Sequence, residues 1–203
     1  KRQLYMNRIR PFIGGELIKV MTGIRRSGKS VMLELIKEEL AEAGVAPSQM
    51  ISINFEDMRY SHLQTATALH DEIIKRAEGI EGKAYLFFDE IQEVEGWEKC
   101  VNSLRVALDC DIYITGSNAK LLSGELATYI GGRYVEFVIY PFSFAEFLEL
   151  YHTIAPSDSI QQCFQKYLLA GGMPYLANLR YEEEPSRQYL TDLFNSVQLK
   201  DIV

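Results

Sequence analysis

Apolar positions between Leu17 and Ile139 form short continuous runs that alternate with longer stretches of helical spacing. Short apolar runs are typical of buried strands, and apolar residues that recur every three or four positions are typical of helices. The strands predicted from these runs cover residues 17–21, 50–55, 85–88, 112–115 and 134–139. Because strands and helices alternate, the pattern predicts an α/β fold with a parallel sheet and crossover helices.

Beyond Pro141 the spacing of apolar residues is helical only. Ser143 and Glu146 have the spacing of a capping box, which begins a helix, and two more amphipathic helices are predicted near 160–168 and 185–197. We therefore expect an α/β domain over residues 1–140 and a small helical domain over 141–203. The helical pattern is still running at Val203, so we expect the full protein to continue further.

The stretch Gly23–Ser30, GIRRSGKS, separates the first predicted strand from the first predicted helix. It has the G-x-x-x-x-G-K-[ST] spacing of a phosphate-binding loop, in which glycines and amides at a helix N-terminus surround an anion. In this pattern Lys29 reaches the β- and γ-phosphates and the Ser30 hydroxyl ligates Mg²⁺. The residues expected to contact a nucleoside triphosphate are Gly23, Ile24, Arg25, Arg26, Ser27, Gly28, Lys29, Ser30 and Val31.

A second signal is Asp89-Glu90, which follows the apolar run Tyr85–Phe88. An Asp at the end of such a strand holds the magnesium shell in phosphate-loop nucleotidases, and a neighbouring Glu can activate water as a general base. A helix, a strand and another helix are predicted between the loop and Asp89, which fits nucleotidases that carry a catalytic Glu. The sequence has no N-K-x-D motif for reading guanine. A solvated strand end is the alternative interpretation.

Two further candidates lie later in the chain. Asn118 follows the fourth predicted strand, where open α/β sheets bind ligands, and it is expected to position the attacking water. Ser117 competes for that role, and a G-S-N turn is the alternative. Arg133 precedes the fifth predicted strand and is expected to stabilise the transferring phosphoryl group, in its own subunit or in a neighbour. A surface arginine is the alternative there.

Charge and composition limit the partners. Residues 1–30 hold eight Lys and Arg against one Glu, a balance of +7, so the remainder must carry −14 to give the net −7. An acidic body disfavours nonspecific binding to nucleic acid, although Arg2, Arg8 and Arg10 could contact a phosphate backbone. The three cysteines lack disulfide or metal spacing and predict reduced thiols in a cytoplasmic protein. No apolar run is long enough to span a bilayer, so no membrane partner is expected.

Several motifs in order along the chain resemble one known family. They are GIRRSGKSVML, INFED, LFFDEIQ, ITGSNAKLLS, GGR, PFSFAEF and YLLAGGMP. Together they are similar to the AAA+-type ATPases of bacteria and archaea with an AAA_14 core and a DUF4143-like C-terminal domain. The resemblance implies a five-stranded P-loop core of the ASCE class and a helical lid. The family's C-terminal domain has no counterpart in these 203 residues.

The resemblance also implies roles for particular residues. Lys29 and Ser30 carry over as phosphate and magnesium residues, and Asp89 and Glu90 as the Walker B pair. Ser117-Asn118 falls at the first sensor and Arg133 at the arginine finger. Gly171–Pro174 falls in the lid, and Arg180 and Arg187 are weak candidates for a second sensor.

These observations favour an ATPase that uses ATP and Mg²⁺ and couples turnover to motion of the lid. Glu90, Lys29, Asn118 and Arg133 would act in catalysis, and Ser30 and Asp89 would hold the metal. A slow-turnover nucleotide switch, a DNA-associated ATPase and a small-molecule kinase are the alternatives. The partners considered are a second copy of the chain, with Arg133 acting in trans, and an unidentified protein or DNA.

Overall fold

Five strands form the centre of the protein in the computed structural model, which describes residues 2–116 and 130–201. They are β1 (Ile18–Thr22), β2 (Met50–Asn54), β3 (Ala84–Asp89), β4 (Cys110–Thr115) and β5 (Tyr134–Val138). All pair in parallel in the order β2-β3-β4-β1-β5, which confirms the predicted parallel α/β sheet. β4 lies between β1 and β3, so the strand that ends at Asp89 is one strand removed from the strand that precedes the loop.

Seven α-helices are described. They are α1 (Gln3–Ile9), α2 (Lys29–Glu42), α3 (Ala66–Ala77), α4 (Trp97–Ala107), α5 (Phe144–Tyr151), α6 (Ile160–Ala170) and α7 (Glu183–Asp201). Within the described residues, no helix is both long enough and apolar enough to cross a lipid bilayer.

The two faces of the sheet bury different side chains because successive residues of a strand point in opposite directions. One face joins Leu86, Phe88 and Ile114 to residues of α3 and α4 in one apolar core. On the other face, the ring of Phe87 stacks on Tyr113 at 4.8 Å and lies under Lys37 of α2. Both faces of β3 and β4 are therefore covered, which explains their nearly continuous apolar sequence.

The contacts divide the chain into two compact units. The first contains Lys1–Gly23 and Lys29–Val138, and the second contains Ile24–Gly28 and Ile139–Val203. Five residues of the GIRRSGKS stretch are thus grouped with the helices that follow the sheet. The function of residues 141–203 as a lid stays a prediction.

Aromatic side chains and a close backbone contact hold the second unit together. Phe147 and Tyr181 are buried with their rings 4.9 Å apart. The Gly172 carbonyl accepts a hydrogen bond from the Phe142 amide at 2.7 Å, and a Cβ at Gly172 would lie 2.0 Å from the Phe142 carbonyl oxygen. Glycine is therefore required there. Ser143 begins α5 with the predicted capping box to Glu146.

The N-terminal helix α1 was not among the predicted elements. It has only seven residues and no side-chain cap, and such short helices are unstable alone. Its inner face buries Tyr5, Met6 and Ile9. Tertiary packing accounts for this helix, which its local sequence does not indicate.

Candidate active site at the carboxyl end of the sheet

The GIRRSGKS stretch forms the connection between β1 and α2, as the motif predicts. Gly23 and Gly28 have φ angles of 142° and 103°, which side chains disfavour, so the two glycines of the motif are needed for the path of the backbone. Lys29, the first residue of α2, is 4% exposed, and its ammonium group donates a hydrogen bond to the Gly23 carbonyl at 3.2 Å. The lysine side chain therefore folds back over the start of the loop.

Ser30 and Asp89 meet at the carboxyl end of the sheet. The Ser30 side chain hydrogen-bonds to the Asp89 carboxylate. Oδ2 of this carboxylate also accepts a hydrogen bond from the side-chain nitrogen Nδ2 of Asn54 at 3.2 Å. Burial raises the pKa of Asp89, although hydrogen bonds from Thr115 and Ser30 oppose that rise. The carboxylate is thus partly desolvated and already surrounded by oxygen and nitrogen donors.

Glu90 lies beside Lys29. Its Oε1 is 3.7 Å from the Lys29 ammonium nitrogen, and its Oε2 accepts a hydrogen bond from Gln92 at 2.6 Å. The backbone of Glu90 is left-handed, with φ 55° and ψ 49°. Such a conformation costs about 1–3 kcal/mol in a residue other than glycine and is common at functional sites. The hydrogen bond from Gln92 and this backbone conformation together hold the Glu90 carboxylate near Lys29.

Sequence reasoning missed three polar residues in this group: Asn54, Gln92 and Thr115. Thr115 donates to Asp89 Oδ1 and accepts from the Glu90 amide at 3.0 Å. We call Asn54, Asp89, Glu90 and Thr115 the Asp89 cluster. All lie at or just after the ends of three adjacent strands. The available signal was a polar residue at the end of an apolar run, a position that Asn54 and Thr115 both have.

The remaining loop residues have different environments. Ile24, Arg26 and Val31 are exposed, whereas Ser27 is buried. The Arg26 guanidinium lies 6.0 Å from the Tyr175 ring centre and 5.6 Å from that of Tyr189, all within the second unit. Arg25 is half-buried, and its Nε has no hydrogen-bond partner among the described residues. Nucleotide contacts of these residues stay predictions.

Arg133 is not brought together with Lys29, Asp89 and Glu90. It precedes β5, and its carbonyl accepts from the Ile18 amide, which places it at the amino end of the parallel sheet. It is exposed and donates to Asn102 of α4 at 3.0 Å. The role of Arg133 in phosphoryl transfer, in its own subunit or in a neighbour, stays a prediction. Asn118 and its competitor Ser117 lie outside the described residues.

The basic N-terminal segment is only partly open to solvent. Arg2 is buried and lies 4.5 Å from the Tyr5 ring centre. Arg10 donates to both carboxylate oxygens of Glu39, at 2.7 and 2.9 Å. Arg8 is exposed. Two of the three arginines considered for a nucleic-acid backbone thus have contacts within the protein.

The donor set fits Mg²⁺ bound together with phosphates. Ser30 and Asp89 offer the oxygen ligands that this cation prefers. Within residues 2–116 and 130–201, no three His, Cys, Asp or Glu side chains are grouped to hold a metal ion. Mg²⁺ commonly uses one or two protein ligands and completes its shell with water and phosphate oxygens, so a full protein cage is not needed.

Solved structures resemble this chain in fold. The ORC1 protein of Aeropyrum pernix in complex with DNA has a TM-score of 0.51 at 14% identity, covering 97% of this chain and 65% of that one. A Thermotoga maritima RuvB mutant has a TM-score of 0.53 at 14% identity, covering 99% and 68%. The Escherichia coli MS115-1 HORMA:CdnC:Trip13 complex gives 0.54 at 13% identity, covering 95% and 70%. These likenesses show the fold of the chain, a parallel α/β sheet flanked by helices.

The family follows from the sequence comparison. The family model described as an AAA domain, AAA_14, matches residues 16–148. This range contains all five strands and the residues of the Asp89 cluster. The chain belongs to the AAA_14 family, which confirms the resemblance seen in its motifs.

Two relatives are known only as uncharacterized proteins. One, from Haemophilus influenzae, is 41% identical over 202 residues, which are 99% of this chain and 50% of the relative. The other, from Methanocaldococcus jannaschii, is 33% identical over 195 residues, 92% of this chain and 42% of the relative. The chain therefore spans about half the length of these relatives.

Proposed function

We propose that this chain binds Mg-ATP at the carboxyl end of its sheet and hydrolyses it to ADP and phosphate. The observation that carries the proposal is the meeting of Lys29, Ser30, Asp89 and Glu90 at the junction of the loop and β3. These side chains supply a cation for phosphate oxygens, two oxygen ligands for a metal ion and a carboxylate for water. The absence of an N-K-x-D motif supports adenine over guanine.

Each side chain has a chemical role in this proposal. Lys29 exchanges its bonds to Gly23 and Glu90 for bonds to the phosphates, which leaves the Glu90 carboxylate to accept a proton from the attacking water. Ser30 and Asp89 hold Mg²⁺, which when bound offsets negative charge on the phosphates. Gln92 keeps one oxygen of Glu90 in place, so the other oxygen faces the lysine.

Arg133 enters the proposal only through a second copy of the chain. Its guanidinium is exposed at the amino end of the sheet, away from the site of its own chain. A neighbouring copy could receive this cation beside its transferring phosphoryl group. We therefore include a homo-oligomer with Arg133 acting in trans, which an ATPase rate per chain that rises with protein concentration would support. Asn118 is retained as the residue that orients water.

Two variants test the proposal. Glu90→Gln should bind ATP and lose turnover by about 100-fold or more, because the amide cannot accept the proton. Lys29→Ala should lose tight binding of ATP. The measurements are phosphate release and titration with a fluorescent ATP analogue. If Glu90→Gln released phosphate at the parental rate, Glu90 would not be the base.

A nucleotide switch would differ from the proposed ATPase only in its slower hydrolysis and in its product, which is a change of conformation. It keeps the same site and adds motion of residues 141–203 as the lid that reports the bound nucleotide. Single-turnover kinetics with a fluorescent label in that segment separate the two functions, because a switch would release phosphate slowly while the label changes on ATP binding. The internal contacts of Arg2 and Arg10 leave a DNA-associated ATPase less supported.

A further inference from the structure

Thr115 occupies an unusual position between two carboxylate residues. It is the last residue of β4 and is fully buried. Its hydroxyl donates to Asp89 Oδ1 and accepts from the Glu90 amide at 3.0 Å. A hydroxyl has one proton to donate, so the two bonds have a fixed direction: amide to hydroxyl, and hydroxyl to carboxylate.

The strand register explains why this residue reaches both neighbours. Phe88 pairs with Ile114, so Asp89 and Thr115 follow side by side in adjacent parallel strands. Their side chains share the face on which Phe87 stacks on Tyr113, two residues earlier in each strand. Any residue at position 115 would point at Asp89, but a short hydroxyl side chain is needed to bond it.

The two hydrogen bonds of the Thr115 hydroxyl restrict two motions, the rotation of the Asp89 carboxylate and the movement of the Glu90 backbone. Rotation of a carboxylate about its last torsion is soft, with broad minima. Thr115 and Asn54 each hold one oxygen of Asp89, so the plane of its carboxylate is set relative to Ser30. The hydrogen bond from the Glu90 amide to Thr115 fixes the backbone of Glu90. This left-handed backbone determines where the Glu90 side chain points.

We propose that Thr115 is a positioning residue for ATP hydrolysis, whose one hydroxyl orients the metal-binding carboxylate of Asp89 and the water-activating Glu90 together. The inference rests on the function proposed above and deepens it. Thr115 itself contacts neither substrate nor water in this role. Loss of its hydroxyl therefore affects the metal ion and the chemical step more than the affinity for the nucleotide.

The test compares variants that separate the effect of the Thr115 hydroxyl from the effect of the side-chain volume. Thr115→Val keeps the volume and removes the hydroxyl, and Thr115→Ser keeps the hydroxyl. For Thr115→Val we expect kcat to fall and the Mg²⁺ midpoint of ATP-analogue binding to rise, each by about 10-fold or more, as for other residues that orient metal ligands. KM for ATP should change by less than about threefold, and Thr115→Ser should recover most of the loss.

Tyr113→Phe is the matched control. It removes a buried hydroxyl from the same strand, one that donates to Asp111 Oδ2 at 2.7 Å. It should lower thermal stability and leave kcat and the Mg²⁺ midpoint at parental values. Thr115→Ala, a second variant without the hydroxyl, replaces the valine variant if that protein does not fold.

The outcomes are distinct. Parental kcat and Mg²⁺ midpoint in Thr115→Val would overturn the role of Thr115, as would a serine variant as impaired as the valine variant. If the parent binds Mg-ATP without hydrolysing it, the proposed ATPase function fails, while the Mg²⁺ midpoint still tests Thr115. If the parent binds no ATP, both proposals fail.

Discussion

Two polar clusters lie on the same face of the sheet, at opposite ends of its strands. The Asp89 cluster is at the carboxyl end. Near the amino end, Lys19 and Asp111 form an ion pair with both side chains fully buried. Asp111 Oδ2 also accepts from the Gly14 amide at 2.6 Å and from the Tyr113 hydroxyl at 2.7 Å. We call Gly14, Lys19, Asp111 and Tyr113 the Asp111 cluster.

The difference between the clusters is how completely their charges are matched. In the Asp111 cluster, a cation meets an anion directly, and Lys19 also donates to the Gly15 carbonyl at 3.2 Å. In the Asp89 cluster, two carboxylates face one lysine, whose ammonium nitrogen is 3.7 Å from Glu90. The first arrangement is complete in itself, whereas the second has excess negative charge and gains from a bound cation. Burial alone therefore does not distinguish a structural cluster from a binding site.

The largest expected effect separates the two lysines. Lys19→Met should reduce the free energy of unfolding by about 3–5 kcal/mol, because it leaves the buried Asp111 without its cation. The measurement is urea denaturation at pH 7, followed by circular dichroism.

Lys29→Met is the matched control, since it is the same substitution in a buried lysine at the other end of the sheet. It should change the free energy of unfolding by no more than about 1 kcal/mol, because its ion pair with Glu90 is long, at 3.7 Å, and Glu90 is partly exposed. Equal destabilisation by the two variants would contradict the distinction between the clusters.

The second effect is stabilisation by ligand. Mg-ATP at 100 times its dissociation constant should raise the parent's free energy of unfolding by about 2.7 kcal/mol, since only the folded chain has the site. Lys19→Met should keep this increment and Lys29→Met should lose it. Thermal unfolding with and without Mg-ATP measures both, using Glu90→Gln as the background to prevent turnover. An increment retained by Lys29→Met would place the ligand elsewhere.

The local signals of the chain predicted two members of the Asp89 cluster, Asp89 and Glu90, and missed the pairing in the Asp111 cluster. GIRRSGKS and Asp89-Glu90 are motifs whose residues are adjacent in sequence, so Lys29, Ser30, Asp89 and Glu90 could be assigned. Lys19 and Asp111 are 92 residues apart, and each interrupts an apolar strand without any local pattern. Only the pairing of β1 with β4 brings them together. The same reason hid Thr115, whose role depends on its register with β3.

The five strands were predictable because apolar runs between turn residues are local. The placement of Arg133 was not, because it required knowing that β5 pairs in parallel with β1 and begins at the amino end. A position just before a strand lies at the amino end of a parallel sheet, opposite the end that carries Asp89. The direction of β5, which sequence spacing does not show, places Arg133 at the amino end of the sheet.

The smallest effect concerns the thiol next to the Asp111 cluster. Burial, with a smaller contribution from Asp111, raises the pKa of Cys110 from 9.0 to about 11. Below pH 9 the thiol is neutral in both states. Between pH 9 and 11 it ionises in the unfolded chain first, so the stability it contributes falls as pH rises and is lost above pH 11.

Labelling with an aromatic disulfide reagent at pH 8 measures this protection. Native Cys110 should react at least about 100-fold more slowly than in urea, because both its thiolate fraction and its access are reduced. Cys100→Ser with Cys163→Ser isolates the signal of Cys110. Rapid labelling of this folded variant would contradict the burial of Cys110 at the amino end of the sheet.

The buried pair of Lys19 and Asp111 also limits how the sequence can drift. Replacing either residue first leaves a lone buried charge, at a cost of about 3–5 kcal/mol out of a typical total of about 5–15 kcal/mol. A chain with one change would therefore lose a large share of its stability margin. The two positions, although far apart in the gene, are expected to be inherited as a single unit or exchanged in quick succession.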